Sequence, residues 1–302
     1  MRIERNSDQS VHNMGDAGQC MDDPLTGVPG QCRSRWRSGP MAVTRSIYEL
    51  GALPRTIRRM QLSTSTTGSG PLQVGLVHGL GADGTVWRPL IDVMVRSGQY
   101  TVTTVDLRGH GLSDRADSYR VDEMAGDLVE TLPTGLHSVV GHSLGGAVLV
   151  RAVVGLAPER AIYLDPGFAL PLPTAGVAGR LFWMAPLLTL GVAQLRQSRH
   201  SSAARAAYSA EVRRLIDDSQ KRFDSRMAIG VFKDVAFHPA PVEAPAVPST
   251  IVLSDQSSGV LPDTVVARFE AQGWQVRRIA GVQHDMQLEA PDRVVETIRD
   301  VL

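Results

Sequence analysis

Cysteine is almost missing from this chain: of 302 residues only Cys20 and Cys32 carry a thiol. Both lie in the N-terminal stretch, where a bridge between them could not staple a core, so the chain reads as one that folds in a reducing compartment, and a cytoplasmic location is expected. Charge of either sign is not in excess, since 31 Lys and Arg balance 31 Asp and Glu. That balance removes the basic surplus by which proteins hold nucleic acid or an anionic membrane surface, and neither partner is expected. The N-terminus lacks the apolar h-region of a secretory signal. No run reaches the ~20 apolar residues that span a bilayer; the most apolar stretch, residues 181–190, follows Arg180 and is broken by Pro186. Internal repeats are absent as well. What remains is a chain with 43% hydrophobic residues, enough for one large core and better suited to a single domain with an insertion than to two domains.

Residues 1–45 are rich in Gly, Asp, Ser, Arg and Pro without apolar periodicity, and they read as a disordered tail. Met41 is a candidate true start, because residues 46–60 are the first with helix-like apolar spacing. Residues 63–70, a Ser/Thr/Gly stretch, read as a link to the first strand.

The chemistry is concentrated in Gly141-His142-Ser143-Leu144-Gly145. A serine between two glycines, after the β-type run 136–140 and before the small, apolar run 146–154, fits a sharp strand-to-helix turn. In such a turn the serine backbone is strained and the residues two positions away are crowded, which requires glycine at both flanks. Three further segments agree with it. Leu76-Val77-His78-Gly79-Leu80-Gly81 follows a strand candidate over residues 72–77 and forms a loop whose N–H groups can point into a site. A β-branched run, residues 101–105, leads into Asp106-Leu107-Arg108-Gly109-His110-Gly111-Leu112-Ser113-Asp114. Finally Gly281-Val282-Gln283-His284-Asp285 follows a strand-like segment, 274–279, and precedes a terminal helix beginning near Pro291.

On these four segments the chain resembles the α/β-hydrolase superfamily over roughly residues 70–302, its motifs standing in the family's order and at its spacing. The resemblance implies an α/β fold, with a mostly parallel central sheet flanked by helices and a helical cap inserted into it. It divides the chain into a core over 46–166 and 246–302 and a cap over 167–245, where the alternation of strand and helix patterns breaks down and a mixed helix candidate covers residues 203–223. It also implies Ser143 as nucleophile, His284 as base, and the N–H groups of Leu80 and Leu144 as the oxyanion hole. Asp106 and Arg108 would brace loops, with His78, His110 and His142 in similar supporting roles. Trp87, Phe182, Trp183 and Met184 are candidates for an apolar substrate pocket, against the alternative of ordinary core packing.

The third triad member has two candidates. Most of the family places an aspartate in the loop after the strand at 250–253, where Ser257 occupies its usual position and Asp255 stands two residues early. Some branches place it after the preceding strand, here Asp165 at the end of residues 160–164. The reading favours Asp165 and keeps Asp255 as the alternative; Asp285 is discounted because adjacent side chains point apart. The implied activity is hydrolysis of a carboxylic ester or related acyl compound of small, apolar character through an acyl-enzyme on Ser143, with neither metal nor organic cofactor. Serine at the elbow argues against haloalkane, fluoroacetate and epoxide chemistry, which use aspartate there. Lactonases, amidases, C–C bond hydrolases, perhydrolases and lyases share the triad, and a ligand-binding protein with a degenerate site would share the fold.

Overall fold

Alternation of β-branched runs with longer apolar-faced segments builds the layers. The computed structural model describes residues 60–170, 172–184, 206, 208–255 and 261–302; the expectations for the tail, for Met41 and for residues 46–59 lie outside them. Seven strands form one sheet: β1 (Thr64–Gly68), β2 (Leu72–Val77), β3 (Tyr100–Val105), β4 (Ser138–His142), β5 (Arg160–Leu164), β6 (Ser249–Ser254) and β7 (Gln275–Ile279), in the order β1-β3-β2-β4-β5-β6-β7. All neighbours pair in parallel except β1, which runs antiparallel to β3. This strand corrects the reading of residues 63–70 as a link. Thr64, Thr66 and Thr67 favour extended backbone, but the strand lies at the sheet edge with every residue exposed, so no apolar alternation marks it in the sequence.

The helices of the core are α1 (Arg88–Val95), α2 (Val121–Thr131), α3 (Leu144–Leu156) and, beyond the insertion, α7 (Asp263–Ala271), the short α8 (Met286–Glu289) and α9 (Pro291–Ile298). They cover both faces of the sheet, as a parallel sheet requires. Consecutive strand residues separate accordingly: Val139 joins a buried cluster with α2, α3 and α7, while Val140 joins a second cluster with α1 and α9.

Among the described residues, no strand lies between β5 and β6. The segment between them holds α4 (Gly176–Met184), α5 (Ala210–Lys221) and α6 (Met227–Phe237). The candidate helix over 203–223 is realised as α5, started by Ser209, whose hydroxyl accepts from Val212 N at 3.2 Å. Side chains and backbone fasten this segment to the loops at the carboxyl ends of β2 and β3 and to the start of α2. Arg222 pairs with buried Asp83 at 2.6 Å, Asp224 N–H donates to Gly109 O at 2.8 Å, and Asp234 accepts from Val121 N at 2.8 Å. No helix among the described residues is long and apolar enough to cross a membrane.

Candidate active site

Ser143 sits between the end of β4 and the start of α3 with φ +51° and ψ −114°. Such a conformation costs a non-glycine residue on the order of 1–3 kcal/mol and persists only where the surroundings enforce it. Four main-chain bonds do so here: Ser143 N–H donates to Leu164 O, while its own carbonyl accepts from Gly146, Ala147 and Gly167 at 2.8–3.2 Å. The flanking glycines are required by close approach. A Cβ on Gly141 would lie 2.6 Å from Gly145 O, and one on Gly145 would lie 2.2 Å from Val77 O. The loop after β2 comes against the serine, since a Cβ on Gly79 would lie 3.1 Å from Ser143 Cβ. The main-chain N–H groups of Leu80, next in that loop, and of Leu144, first in α3, have no acceptor among the described residues.

His284 follows β7 and is fixed by its backbone and by its ring. His142 Nε2–H donates to the His284 carbonyl at 2.9 Å, and the two rings lie 4.7 Å apart. This brings His284 beside the residue that precedes Ser143. The preceding Gln283 N–H donates to Glu289 Oε2 at 2.8 Å, which closes the loop onto α8. On its other side His284 Nδ1 lies 3.3 Å from Asp165 Oδ2. Asp165 is itself buried and strained, with φ +39°. Its carboxylate also accepts from Ser254 N at 2.9 Å and from Ser254 Oγ at 2.6 Å. Asp255 faces elsewhere: exposed, it accepts from Gly281 N at 2.7 Å. Of the two candidate acids, the structure thus brings Asp165 to the histidine. Ser143 and Asp165 are two of the three non-glycine residues with positive φ among those described.

Charges at this pair reinforce one another. Burial pushes the Asp165 carboxyl up, but the hydrogen bond and charge of His284, together with Ser254, outweigh it and hold the group below the usual carboxylate range. Desolvation pushes His284 down, and the hydrogen bond to Asp165 with the charges of Asp285 and Asp165 more than reverses this, leaving it above the ordinary histidine value. At His78, His110 and His142 burial is the leading influence and lowers the pKa. His78 Nδ1–H donates to Gly79 O while its Nε2 accepts from Leu107 N, at 2.8 and 3.0 Å, and burial lowers its pKa. His110 spans Arg108 O and Gly81 N in the same way, its pKa pushed down to about 3 by burial and then by His78. Asp106 accepts from Gly84 N and Leu112 N, and Arg108 pairs with Asp127 at 2.6 Å and Glu123 at 2.7 Å. These groups brace the loops after β2 and β3.

The pocket candidates divide. Trp87 is wholly buried in the cluster beneath α1 and α9, its ring edge-on to His142 at 6.4 Å, so it is core and offers no surface to a ligand. Phe182, Trp183 and Met184 lie on α4. Trp183 packs on Phe182 and on Phe237 of α6 at 5.0 and 5.6 Å, and Met184 is 79% exposed. Ser254 and Glu289 were not anticipated, because their roles depend on contacts distant in sequence and no local pattern marks them. Among the described residues, no group of three or more His, Cys, Asp or Glu could hold a metal ion.

Comparison with known proteins agrees with this fold. Over 101 residues, 32% of this chain, the sequence is 41% identical to the 2-(acetamidomethylene)succinate hydrolase of Mesorhizobium japonicum. Over 85 residues, 28% of the chain, it is 39% identical to a pimeloyl-[acyl-carrier protein] methyl ester esterase of Aliivibrio salmonicida. The chain spans only about a third of the length of these relatives, 35% and 31%. In three dimensions it is similar to a thermophilic esterase from Thermogutta terrifontis, with TM-score 0.60 and 20% identity over 80% of this chain and 92% of that one, a likeness of fold. A match to the alpha/beta hydrolase family runs from residue 76 in β2 to residue 297 in α9, nearly the whole sheet and its helices. The chain belongs to the alpha/beta hydrolase family.

Proposed function

We propose that the protein is a serine hydrolase that cleaves a carboxylic ester or related acyl compound. His284 accepts the Ser143 hydroxyl proton as Oγ attacks the substrate carbonyl. Asp165 accepts from His284 Nδ1–H, fixes the tautomer and stabilises the imidazolium that forms. The Leu80 and Leu144 N–H groups receive the developing oxyanion, a contribution worth about a hundredfold or more in rate per donor. His284 then returns the proton to the leaving group. Water, activated by the same histidine, releases the acyl group from Ser143. The α4–α6 insertion acts as the cap over the site, with Phe182 and Trp183 offering apolar surface to the substrate.

The observation that carries this reading is the strained serine beside two main-chain N–H groups without acceptors among the described residues, on a chain whose late histidine is bonded to a buried aspartate. Both named relatives are hydrolases, one of them a methyl ester esterase, which supports acyl transfer to water. The test needs no knowledge of the substrate. A fluorophosphonate probe followed by peptide mass spectrometry is expected to label Ser143, and His284→Ala to abolish the label. A folded wild-type chain that takes no label would overturn the assignment and favour a ligand-binding role.

A further inference from the structure

His142 is placed where the nucleophile and the base meet. Its backbone immediately precedes Ser143, its side chain holds the His284 carbonyl at 2.9 Å, and its ring lies 4.7 Å from the His284 ring. A carbonyl oxygen only accepts, so the His142 proton must reside on Nε2, and the neutral ring then presents Nδ1 as an acceptor. Gln287 of α8 faces that atom, with Nε2 at 3.4 Å. The amide is 1% exposed, and its Oε1 has no hydrogen-bond partner among the described residues. Burying an unpaired carbonyl is unfavourable, whereas an apolar side chain of the same shape would avoid that penalty. Stability therefore does not account for an amide at this position, and its N–H toward His142 does.

The charged and titratable groups around His142 are His284, Asp285 and Asp165, with Trp87 edge-on to the ring. A proton on Nδ1 would make His142 a cation beside the histidine that must itself become charged during catalysis. Burial, then the proximity of His284, pushes the His142 pKa down to about 4, so the ring is neutral at working pH. A neutral ring still has two tautomers, and only one of them can donate to His284.

We propose that Gln287 is a positioning residue, which locks the His142 ring with its proton on Nε2 and thereby fixes the backbone of His284 relative to Ser143. The catalytic part of this inference rests on the reading of Ser143 and His284 given under Proposed function; the tautomer part does not.

The test uses the full chain with ¹⁵N-labelled histidine and the near-isosteric variants Gln287→Met and Gln287→Leu. In the wild type, long-range ¹H–¹⁵N correlation at neutral pH is expected to show His142 as the Nε2–H tautomer alone. In the variants the two ring nitrogens should move toward each other as tautomers mix, and the His284 resonances should shift. Turnover of p-nitrophenyl acetate should fall about ten- to a hundredfold in kcat with KM unchanged, the scale on which a misplaced catalytic group slows a reaction. Ring signals that stay as in the wild type, or a tautomer change that leaves both His284 and kcat within twofold of wild type, would overturn the proposal. A wild type that neither hydrolyses the ester nor takes the fluorophosphonate label would sink the serine-hydrolase reading instead, while the ring nitrogens and His284 shifts would still decide the role of Gln287.

Discussion

At the scale of single residues, the site depends on which carboxylate reaches His284. Asp165 lies 3.3 Å from its Nδ1, whereas Asp255 serves the Gly281 N–H. Removing the negative charge while keeping the shape leaves Ser143 and the N–H groups in place but frees the imidazole to take the wrong tautomer, a loss of up to about 10⁴-fold in kcat. Asp165→Asn is therefore expected to lower hydrolysis of a short p-nitrophenyl ester by several orders of magnitude, and Asp255→Asn by about tenfold or less. The pH profile adds a second readout. In the proposed mechanism activity needs the neutral histidine, and His284 stands above its ordinary value partly through Asp165, so the acid limb of the residual activity in Asp165→Asn should move to lower pH. Losses in the opposite order would transfer the role to Asp255. The two candidates could not be separated in the sequence, because each follows a strand and only the pairing of β5 with β6 and the placement of the 281–284 loop decide which one faces the ring.

Elements read well from the sequence where a local constraint is written into them, and poorly where the constraint is distant. The elbow was legible because its glycines are demanded by backbone contacts within the turn and with β2, and the central parallel strands β4 and β6 because both of their faces are buried. Strand β1 was not, since an exposed edge strand of threonines has no apolar face to alternate. Nor were the fastenings of the insertion, because Arg222 and Asp83 stand 139 residues apart. The glycine argument gives a paired prediction within two neighbouring helices. Replacing an exposed helical glycine by alanine normally stabilises by roughly 0.5–1 kcal/mol, through the backbone entropy of the unfolded chain. Gly126 in α2 has open space where a Cβ would go, so Gly126→Ala should raise the melting temperature slightly. At Gly145 the new Cβ would lie 2.2 Å from a main-chain oxygen that cannot move aside cheaply, and overpacking of this kind costs about 1–3 kcal/mol. Gly145→Ala should therefore lower the melting temperature and slow fluorophosphonate labelling. An equal rise in both variants would mean that the elbow is looser than its contacts imply.

At the scale of the whole molecule, the histidines couple stability to pH in a window that the carboxylates do not share. His110 and His142 are buried and neutral, with pKa values pushed down to about 3 and about 4, and His78 is shifted in the same direction. In the unfolded chain each titrates near 6.5. Between these values the unfolded state binds protons that the folded state does not, so stability falls as pH drops below 6.5. Each such histidine costs about 1.4 kcal/mol per pH unit once well below 6.5, or about 4 kcal/mol for His110 and His142 together at pH 5. His284 works in the other sense. Its raised pKa adds stability that is already fully present below 6.5 and is lost only as pH rises through the folded value, so it does not offset the fall on the acid side. Asp165 and Asp224 sit below the usual carboxylate range, and their contribution is lost only below the unfolded carboxylate value near 3.8. Thermal unfolding followed by circular dichroism should thus show a melting temperature that declines by on the order of 10 °C between pH 6.5 and 5, at about 2–4 °C per kcal/mol for a domain near this size. His110→Gln, compared with itself across the same range, should show a shallower decline, because one of the buried histidines that takes up a proton only on unfolding is gone. A melting temperature that stays level to pH 5 and falls only below pH 4 would assign the acid sensitivity to the carboxylates, and would mean that the buried rings accept protons without leaving the fold.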